Sequence, residues 1–434
     1  MRPLRGRARR PYARHRRFPV AAFRSIGGAH ARADVNPATG LELRNVSLLA
    51  ICQALMMTAS TLNITTSALV GLMLADNPAL ATLPFGLTWL ATTVTTVPAA
   101  LWMRRVGRRT GLMTGVMVGI FGGALCTLAI FERRFELFCA GSVLVGAFNA
   151  FGQQYRFAAA DAAGEAFRAR AISLVIAGGL IAAFAGPNLA RLTRDAYPAD
   201  VFAGSYAAMI AIYVVSLAVL IFIRMPRSNV AAARITLAGF ARLAGRARFL
   251  VAASSAMLGY GVMNLLMTST PLAMRACGLS FDQTASVIQW HVLAMFVPSL
   301  FTGHLIDRFG ALRIMMAGAL LQLACVLVNL QGQAEWNFIV ALALLGFGWN
   351  FLFVGATTLL TASYQGAEKA TAQGLNDFMV FGTVTLTALG SGALQHAFGW
   401  TAVNLFIAPF IATAFCLGLW LERRARQRAD ARPA

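Results

Sequence analysis

The chain has 434 residues, of which 58% are hydrophobic and only 12% are charged, and its net charge is +21. Soluble domains carry roughly a quarter charged residues, so this composition excludes a soluble enzyme and a disordered protein. The segments 1–44, 224–248 and 422–434 hold 18 of the 21 net positive charges and flank apolar blocks, which indicates a protein of the lipid bilayer without a nucleic-acid partner.

The N-terminal segment 1–44 contains 11 arginines and two acidic residues. It has no apolar stretch before residue 46, which argues against a signal peptide. A transit peptide would be rich in serine, and this segment has only Ser25. We interpret it as a disordered cytoplasmic tail, in preference to a segment that binds nucleic acid or anionic lipid.

Apolar stretches recur along the rest of the chain, and a membrane helix needs about 20 mainly apolar residues. The stretches are too long for barrel strands and do not alternate with a period of two. We therefore predict an all-α polytopic membrane protein. The twelve predicted spans are 46–74, 83–103, 110–131, 136–160, 169–190, 202–223, 249–272, 283–305, 311–331, 337–363, 371–394 and 399–421.

Basic residues are concentrated in one set of the loops between these spans. The loops on the side of the N-terminus hold 15 lysines and arginines, and the loops on the other side hold 5. Cytoplasmic loops carry such an excess, so we expect both termini in the cytoplasm. Arginine makes up 36 of the 37 basic residues, which is typical of a GC-rich bacterial gene and places the chain in an inner membrane.

Other classes of site are excluded by residue counts. The single lysine, Lys369, follows Glu368, so no G-x-x-x-x-G-K-[ST] phosphate loop exists in this chain. The histidines form no H-E-x-x-H pair, and the six cysteines form no C-x-x-C pair. We expect no metal site, no cofactor and no disulfide framework.

The two halves of the chain repeat each other. The matching positions are 145–151 with 345–351, 104–107 with 307–310, Glu165 with Glu368, and Gly186 with Gly390. Two parallel six-span bundles, 45–223 and 249–421, are therefore joined by the linker 224–248 and followed by the tail 422–434. Such a duplication places a cavity between the halves near the bilayer midplane.

The segment 303–310, G-H-L-I-D-R-F-G, resembles the loop signature G-x-L-x-D-R-x-G-R-R of the major facilitator superfamily. Its counterpart 100–109 keeps the basic end of the signature, but Ala100 replaces the glycine and Arg104 replaces the aspartate. The resemblance covers about residues 45–421 and implies a secondary transporter that works by alternating access. The runs 152–161 and 348–361 resemble bacterial members of the superfamily, riboflavin-type importers among them.

The resemblance also implies a cytoplasmic charge network that clamps the outward-facing state. Its members in the C-terminal half are Gly303, Asp307, Arg308, Gly310 and Glu368. In the N-terminal half Arg104 needs an acidic partner, for which Glu165 and Asp161 are available. The alternative is that these arginines only set the topology, which we favour for Arg108 and Arg109.

Charged residues inside spans are costly and usually functional. Asp377 in span 11 is the candidate for proton coupling, and the alternative is a local brace at the end of that helix. Arg156 in span 4 either holds an anionic group or snorkels to the cytoplasm, and we expect it to pair with Asp161.

Uncharged polar residues on several spans are candidates to line the cavity, and the alternative for each is a hydrogen bond between helices. In the superfamily that the chain resembles, spans 1, 4, 7 and 10 line the cavity. Aromatic and amide groups suit a solute that contains a ring. The candidates are Gln53, Asn63, Gln153, Gln154, Tyr155, Asn264, Gln289, His291, Trp349 and Asn350.

In span 5 the run 182–190 resembles the G-x-x-x-G-P-x-x-G motif of the superfamily's antiporters, although two glycines are alanine here. Gly186 and Pro187 remain, and they favour either proton exchange or a simple structural kink.

The leading hypothesis is a monomeric, proton-coupled secondary transporter of a small organic solute. One alternative is a riboflavin-type importer that works by facilitated diffusion, and another is a receptor or scaffold that does not transport. An intramembrane enzyme would rest on Ser391 and His396, which lie in no G-x-S-x-G motif.

Overall fold

The computed structural model describes residues 40–164, 167–225, 242–365 and 368–430. Residues 1–39 of the predicted tail 1–44, Glu165 and most of the linker 224–248 lie outside these ranges. Within them the chain is helical and contains no strand, so the predicted all-α class is confirmed.

Six helical segments form the N-terminal half, and they match the predicted spans closely. Span 4 is broken at Gln153 and Gln154, which the apolar pattern did not predict. The segments are span 1 (Gly40–Leu74), span 2 (Leu83–Val106), span 3 (Arg108–Phe131), span 4 (Phe135–Gly152 and Tyr155–Ala162), span 5 (Arg168–Thr193) and span 6 (Ala203–Ile221).

The C-terminal half has the same plan. Span 8 bends by 42° between its two helices, next to Pro298. A continuous helical stretch, Lys369–Asp430, is interrupted at Gly399 and contains spans 11 and 12. The other segments are span 7 (Ala247–Ala276), span 8 (Phe281–Phe296 and Ser299–Phe309), span 9 (Ala311–Gln331) and span 10 (Glu335–Thr361).

In the described ranges, nine helical stretches are long and apolar enough to cross a membrane, or ten if the bent pair of span 8 counts as one. These ten count spans 11 and 12 as one stretch, which Gly399 divides into two, and they do not include the 26-residue span 5. With both additions the count reaches the twelve predicted spans.

The internal repeat is visible in the backbone. Gly107 after span 2 and Gly310 after span 8 have φ angles of 90° and 88°, in the left-handed region that only glycine adopts freely. Each glycine is the single residue between two consecutive helices, and it caps the end of one and the start of the next. The loop signature therefore requires glycine at this position for a backbone reason in both halves.

Small residues let neighbouring spans approach closely. This is expected in a bilayer, because lipid tails are as apolar as the side chains, and moving a side chain from lipid to a helix interface gains little free energy. Spans 9 and 10 cross at Gly318 and Gly348, and a Cβ atom on Gly318 would lie 2.6 Å from the carbonyl oxygen of Gly348. Gly186, which the sequence pattern singles out together with Pro187, brings span 5 close to span 1 in the same way. A Cβ atom added to Gly186 would lie 2.6 Å from Cβ of Thr61.

Candidate functional site

The two ends of the bundle differ in charge. We call the end with the loops after spans 2 and 8, which carry Arg104, Arg105, Arg308 and Arg313, the basic face, and the other end the opposite face. Odd-numbered spans run from the basic face to the opposite face, and even-numbered spans run back. The position of a residue within its span therefore gives its depth.

The halves are joined near the opposite face by spans 2 and 11. The backbone N–H of Gly392 donates to Oγ1 of Thr82 at 2.9 Å. The hydroxyls of Thr93 and Thr385 lie 3.5 Å apart. These residues lie in or before the first half of span 2 and in the last half of span 11, so the bundle is sealed on this side.

A second seal joins spans 5 and 8 on the same side. The Arg191 guanidinium donates to the carbonyl oxygen of Asp282 at 2.8 Å and to the hydroxyl of Ser286. Asn188 donates to the amide oxygen of Gln289 at 3.3 Å. Gln289, a predicted cavity residue, therefore lies in this seal. Arginine thus binds neutral groups across the halves here, without a carboxylate.

The polar contacts at the basic face stay within one half, as far as the described residues extend. Arg108 pairs with Asp161 at 2.9 Å in the N-terminal half. In the C-terminal half Arg246 pairs with Glu368 at 2.7 Å, and Arg313 with Glu422 at 3.2 Å. From the cross-half contacts at the opposite face and their lack among the described residues here, we infer that a cleft between the halves opens toward the basic face.

These pairs correct one expectation. Asp161 pairs with Arg108, and the expected Arg156–Asp161 pair is wrong. The reason is geometric: both residues belong to the helix Tyr155–Ala162, and side chains five residues apart lie on different faces of a helix. Arg156 lies over the ring of Phe157, 4.8 Å from its centroid. Arg104 forms no ion pair with any described residue, and its other possible partner, Glu165, lies outside the described ranges.

Asp307 and Arg308 are exposed at the basic face. Asp307 has no ion pair to a described residue, and Arg308 lies over the ring of Phe309 at 5.3 Å. Gly303 is exposed as well, and Gly310 makes the turn after span 8. The Glu368 carboxylate accepts hydrogen bonds from both terminal guanidinium nitrogens of Arg246, and these bonds lower the pKa of the carboxyl.

Asp377 in span 11 is exposed, and its only described hydrogen bond comes from its neighbour Asn376 at 3.3 Å. Arg156, on the other half, is also exposed. Both charged residues lie in the half of their span that is nearer the basic face.

Most predicted polar cavity residues form hydrogen bonds between helices. Asn63 accepts from Tyr206 at 3.0 Å, Asn264 donates to Val384 at 3.1 Å, and His291 bonds the carbonyl of Leu342 at 2.8 Å. Gln154 accepts from Arg108, Asn350 donates to Met295 beside the bend in span 8, and Tyr155 is buried in the N-terminal core.

Three predicted residues are left for contact with a solute. Gln53 and Gln153 are half-buried, and their amides form no hydrogen bond to another described residue. Trp349 is 8% exposed and its ring stacks on Phe353, with centroids 5.1 Å apart and planes at 9°.

Trp349 forms an aromatic triad with Tyr260 and Phe353. Tyr260 and Phe353 pack against the same hydrophobic core as a second, stacked pair, Trp89 and Phe381. We call these five residues the aromatic cluster. Sequence reasoning found only Trp349. The spacing of Trp349 and Phe353 by four residues places them on one helix face and was a usable signal. Trp89 and Phe381 come together only because spans 2 and 11 pack across the halves.

The chain resembles known transporters over most of its length. The sequence profile of the Major Facilitator Superfamily matches residues 249–434. The riboflavin transporter RfnT of Brucella anthropi is 41% identical over 371 residues, which are 85% of this chain and 93% of that protein. The MFS-type transporter YdeG of Bacillus subtilis is 29% identical over 76% of this chain and 80% of its own length.

Solved structures of transporters share the fold. A mutant form of the nucleoside transporter NupG aligns with a TM-score of 0.70 at 12% identity, over 87% of this chain and 99% of that one. An autoinhibited POT family peptide transporter aligns with a TM-score of 0.66 at 15% identity, over 90% of this chain and 99% of that one. The chain therefore belongs to the Major Facilitator Superfamily and is a multi-pass membrane transporter, not an enzyme.

Proposed function

We propose that this transporter carries riboflavin or a closely related flavin across a bacterial inner membrane by alternating access. The observation that carries the proposal is the 41% identity to a riboflavin transporter over 93% of that relative's length. The half-buried amides of Gln53 and Gln153 and the ring of Trp349 support it, because a flavin offers hydrogen-bonding groups and a planar ring.

We propose that both termini lie in the cytoplasm, so that the basic face is the cytoplasmic face. The excess of arginine in the loops after spans 2 and 8 supports this orientation. The structure then represents the inward-open state, with the seals between spans 2 and 11 and between spans 5 and 8 on the periplasmic side.

In this mechanism the two halves rock about the solute. Opening toward the periplasm breaks the bonds that Arg191 makes to span 8 and separates Thr93 from Thr385. Closing the basic face brings Arg156 toward Asp377 and brings Asp307 and Arg308 against the N-terminal half. Asp307 is exposed and has no ion pair with a described residue, and this supports the assignment because its side chain is available to form a new contact.

We propose that Asp377 carries the coupled proton. Asp377 is exposed in the half of span 11 nearer the basic face, and one amide is its hydrogen-bond partner among the described residues, so the side chain is accessible to a proton. When the cleft closes, a carboxylate at this depth must be protonated or paired with Arg156, because an isolated charge is costly there.

The test is uptake of labelled riboflavin into proteoliposomes of the purified protein, with and without a pH gradient. We expect uptake above that of empty liposomes and stimulation by the gradient. In Asp377→Asn we expect the stimulation to disappear while exchange of internal for external riboflavin continues. The matched control is Asp195→Asn, an exposed carboxylate near the opposite face that pairs only with Arg194 at 3.5 Å.

Each outcome decides between the hypotheses. If the wild-type protein takes up riboflavin at the same rate with and without the pH gradient, the result would contradict proton coupling and favour facilitated diffusion. Normal stimulation in Asp377→Asn would remove Asp377 from the coupling step. Absence of riboflavin flux and exchange from folded protein would contradict the proposed substrate.

A further inference from the structure

We propose that the aromatic cluster is the binding site for a neutral, planar heteroaromatic ring system with carbonyl groups on its edge, and that the indole N–H groups of Trp89 and Trp349 are its hydrogen-bond donors. The inference deepens the proposed function, because it rests on solute transport through this cleft.

Three of the five rings lie at the depth where a solute between the halves would bind, and Trp89 lies in the third of span 2 nearer the opposite face. Tyr260, Trp349 and Phe381 are near the middle of spans 7, 10 and 11, respectively. Trp349 and Phe353 stack in parallel, and the ring of Tyr260 stands edge-on to both, at centroid distances of 5.3 and 5.6 Å. This arrangement makes a flat aromatic wall on the C-terminal half.

The N-terminal half contributes one ring. Trp89 of span 2 stacks on Phe381 of span 11, with ring centroids 6.1 Å apart and planes at 20°. Trp89, Tyr260, Phe353 and Phe381 are half-buried and pack against the same hydrophobic core. The cluster therefore contains rings from both halves that pack on one core.

Two hydrogen-bond donors in the cluster lack partners. The indole Nε1 atoms of Trp89 and Trp349 are buried, and neither has a hydrogen-bond partner among the described residues. A buried N–H without a partner is costly, and in the membrane-spanning region water does not readily compensate. Carbonyl oxygens on the edge of a bound ring would accept from both donors.

The chemistry of the cluster defines the ligand class. All five side chains are uncharged, and their faces favour stacking with a flat π-system. Donors without matching acceptors favour a ring that carries carbonyl oxygens, such as an isoalloxazine, a pteridine or a purine dione. A saturated sugar or an aliphatic acid would satisfy neither property.

The chain offers a matched control for the donors. Trp400 in span 12 is also buried, and its Nε1 likewise lacks a partner among the described residues, but its ring packs against Phe338 outside the cluster. Trp→Phe at Trp89, Trp349 or Trp400 keeps an aromatic ring and removes one N–H. Only the first two changes remove a donor from the proposed site.

The experiment measures binding in lipid nanodiscs by quenching of flavin fluorescence. The probes are riboflavin and lumichrome, which has the ring system without the sugar-like chain. We expect Trp349→Phe and Trp89→Phe each to weaken both probes by about five- to ten-fold, the loss of one hydrogen bond, and Trp400→Phe to change neither. Monodisperse elution and an unchanged unfolding temperature establish that each variant is folded.

The outcomes separate this inference from the proposed function. If riboflavin binds and all three variants match the wild type, the aromatic cluster is not the ring site, although flavin transport stands. If riboflavin fails to bind but lumichrome binds and depends on Trp89 and Trp349, the cluster is a ring site and the riboflavin assignment is wrong. If no planar probe binds folded wild-type protein, the inference is overturned.

Discussion

Polar side chains in the spans fall into two groups, which their hydrogen bonds distinguish. Asn63, Asn264 and Asn350 are buried and form bonds to a neighbouring span, so they stabilise helix packing. Gln53 and Gln153 are half-buried, and their amides are free of hydrogen bonds to other described residues. The sequence placed both groups in one set, because a polar residue in an apolar run has the same pattern whether it faces a neighbouring helix or a cavity.

The ion pair between Glu368 and Arg246 gives a prediction for the pH dependence of stability. The hydrogen bonds from Arg246 lower the pKa of the Glu368 carboxyl below its ordinary value. Its stabilising contribution is therefore complete above that ordinary value and is lost as the pH falls through the lowered pKa.

We expect Glu368→Gln to lower the unfolding temperature at pH 7 and to reduce the loss of stability between neutral and acidic pH. Thermal unfolding in nanodiscs over a pH series measures both effects. Glu132→Gln, at the end of span 3, is the control and should behave like the wild type. If Glu368→Gln and the wild type have the same unfolding temperature at every pH, the ion pair contributes nothing to the stability of the fold.

At the scale of the elements, the apolar pattern predicted all twelve spans and most of their ends. It missed the breaks in spans 4 and 8, because mean hydropathy does not register a local change of backbone direction. Pro298 was a usable signal for the second break. The cleft could be placed between the halves from the repeat, but the pairing of Trp89 with Phe381 requires the packed halves.

The seal between spans 5 and 8 depends on Arg191. Because its cross-half partners are a carbonyl and a hydroxyl, we expect Arg191→Gln to weaken the seal and leave the fold intact. The variant should increase the labelling rate of Thr93→Cys by an impermeant maleimide applied from the opposite face.

Arg275→Gln is the control for this experiment, because Arg275 is exposed near the same face at the end of span 7 and forms no ion pair with a described residue. Both measurements use a background without the native cysteines. An unchanged labelling rate in Arg191→Gln would mean that spans 2 and 11 hold the opposite face closed by themselves.

At the scale of the whole molecule, the structure joins two repeated bundles at one end and separates them at the other. The two seals at the opposite face and the confinement of the basic-face ion pairs of the described residues to single halves define one end state of a rocking motion. The same cleft must open on the other side for a solute to cross the membrane, so the contacts at the opposite face must break in every transport cycle.

A disulfide across the halves tests this claim most directly. Thr93→Cys with Thr385→Cys replaces hydroxyls that lie 3.5 Å apart on spans 2 and 11. Thr193→Cys with Ser205→Cys, whose hydroxyls lie 3.1 Å apart within the N-terminal half, is the matched control. We expect oxidation to stop riboflavin uptake in the first pair and not in the second, and reduction to restore it. Full uptake by the fully cross-linked first pair would contradict alternating access through this cleft.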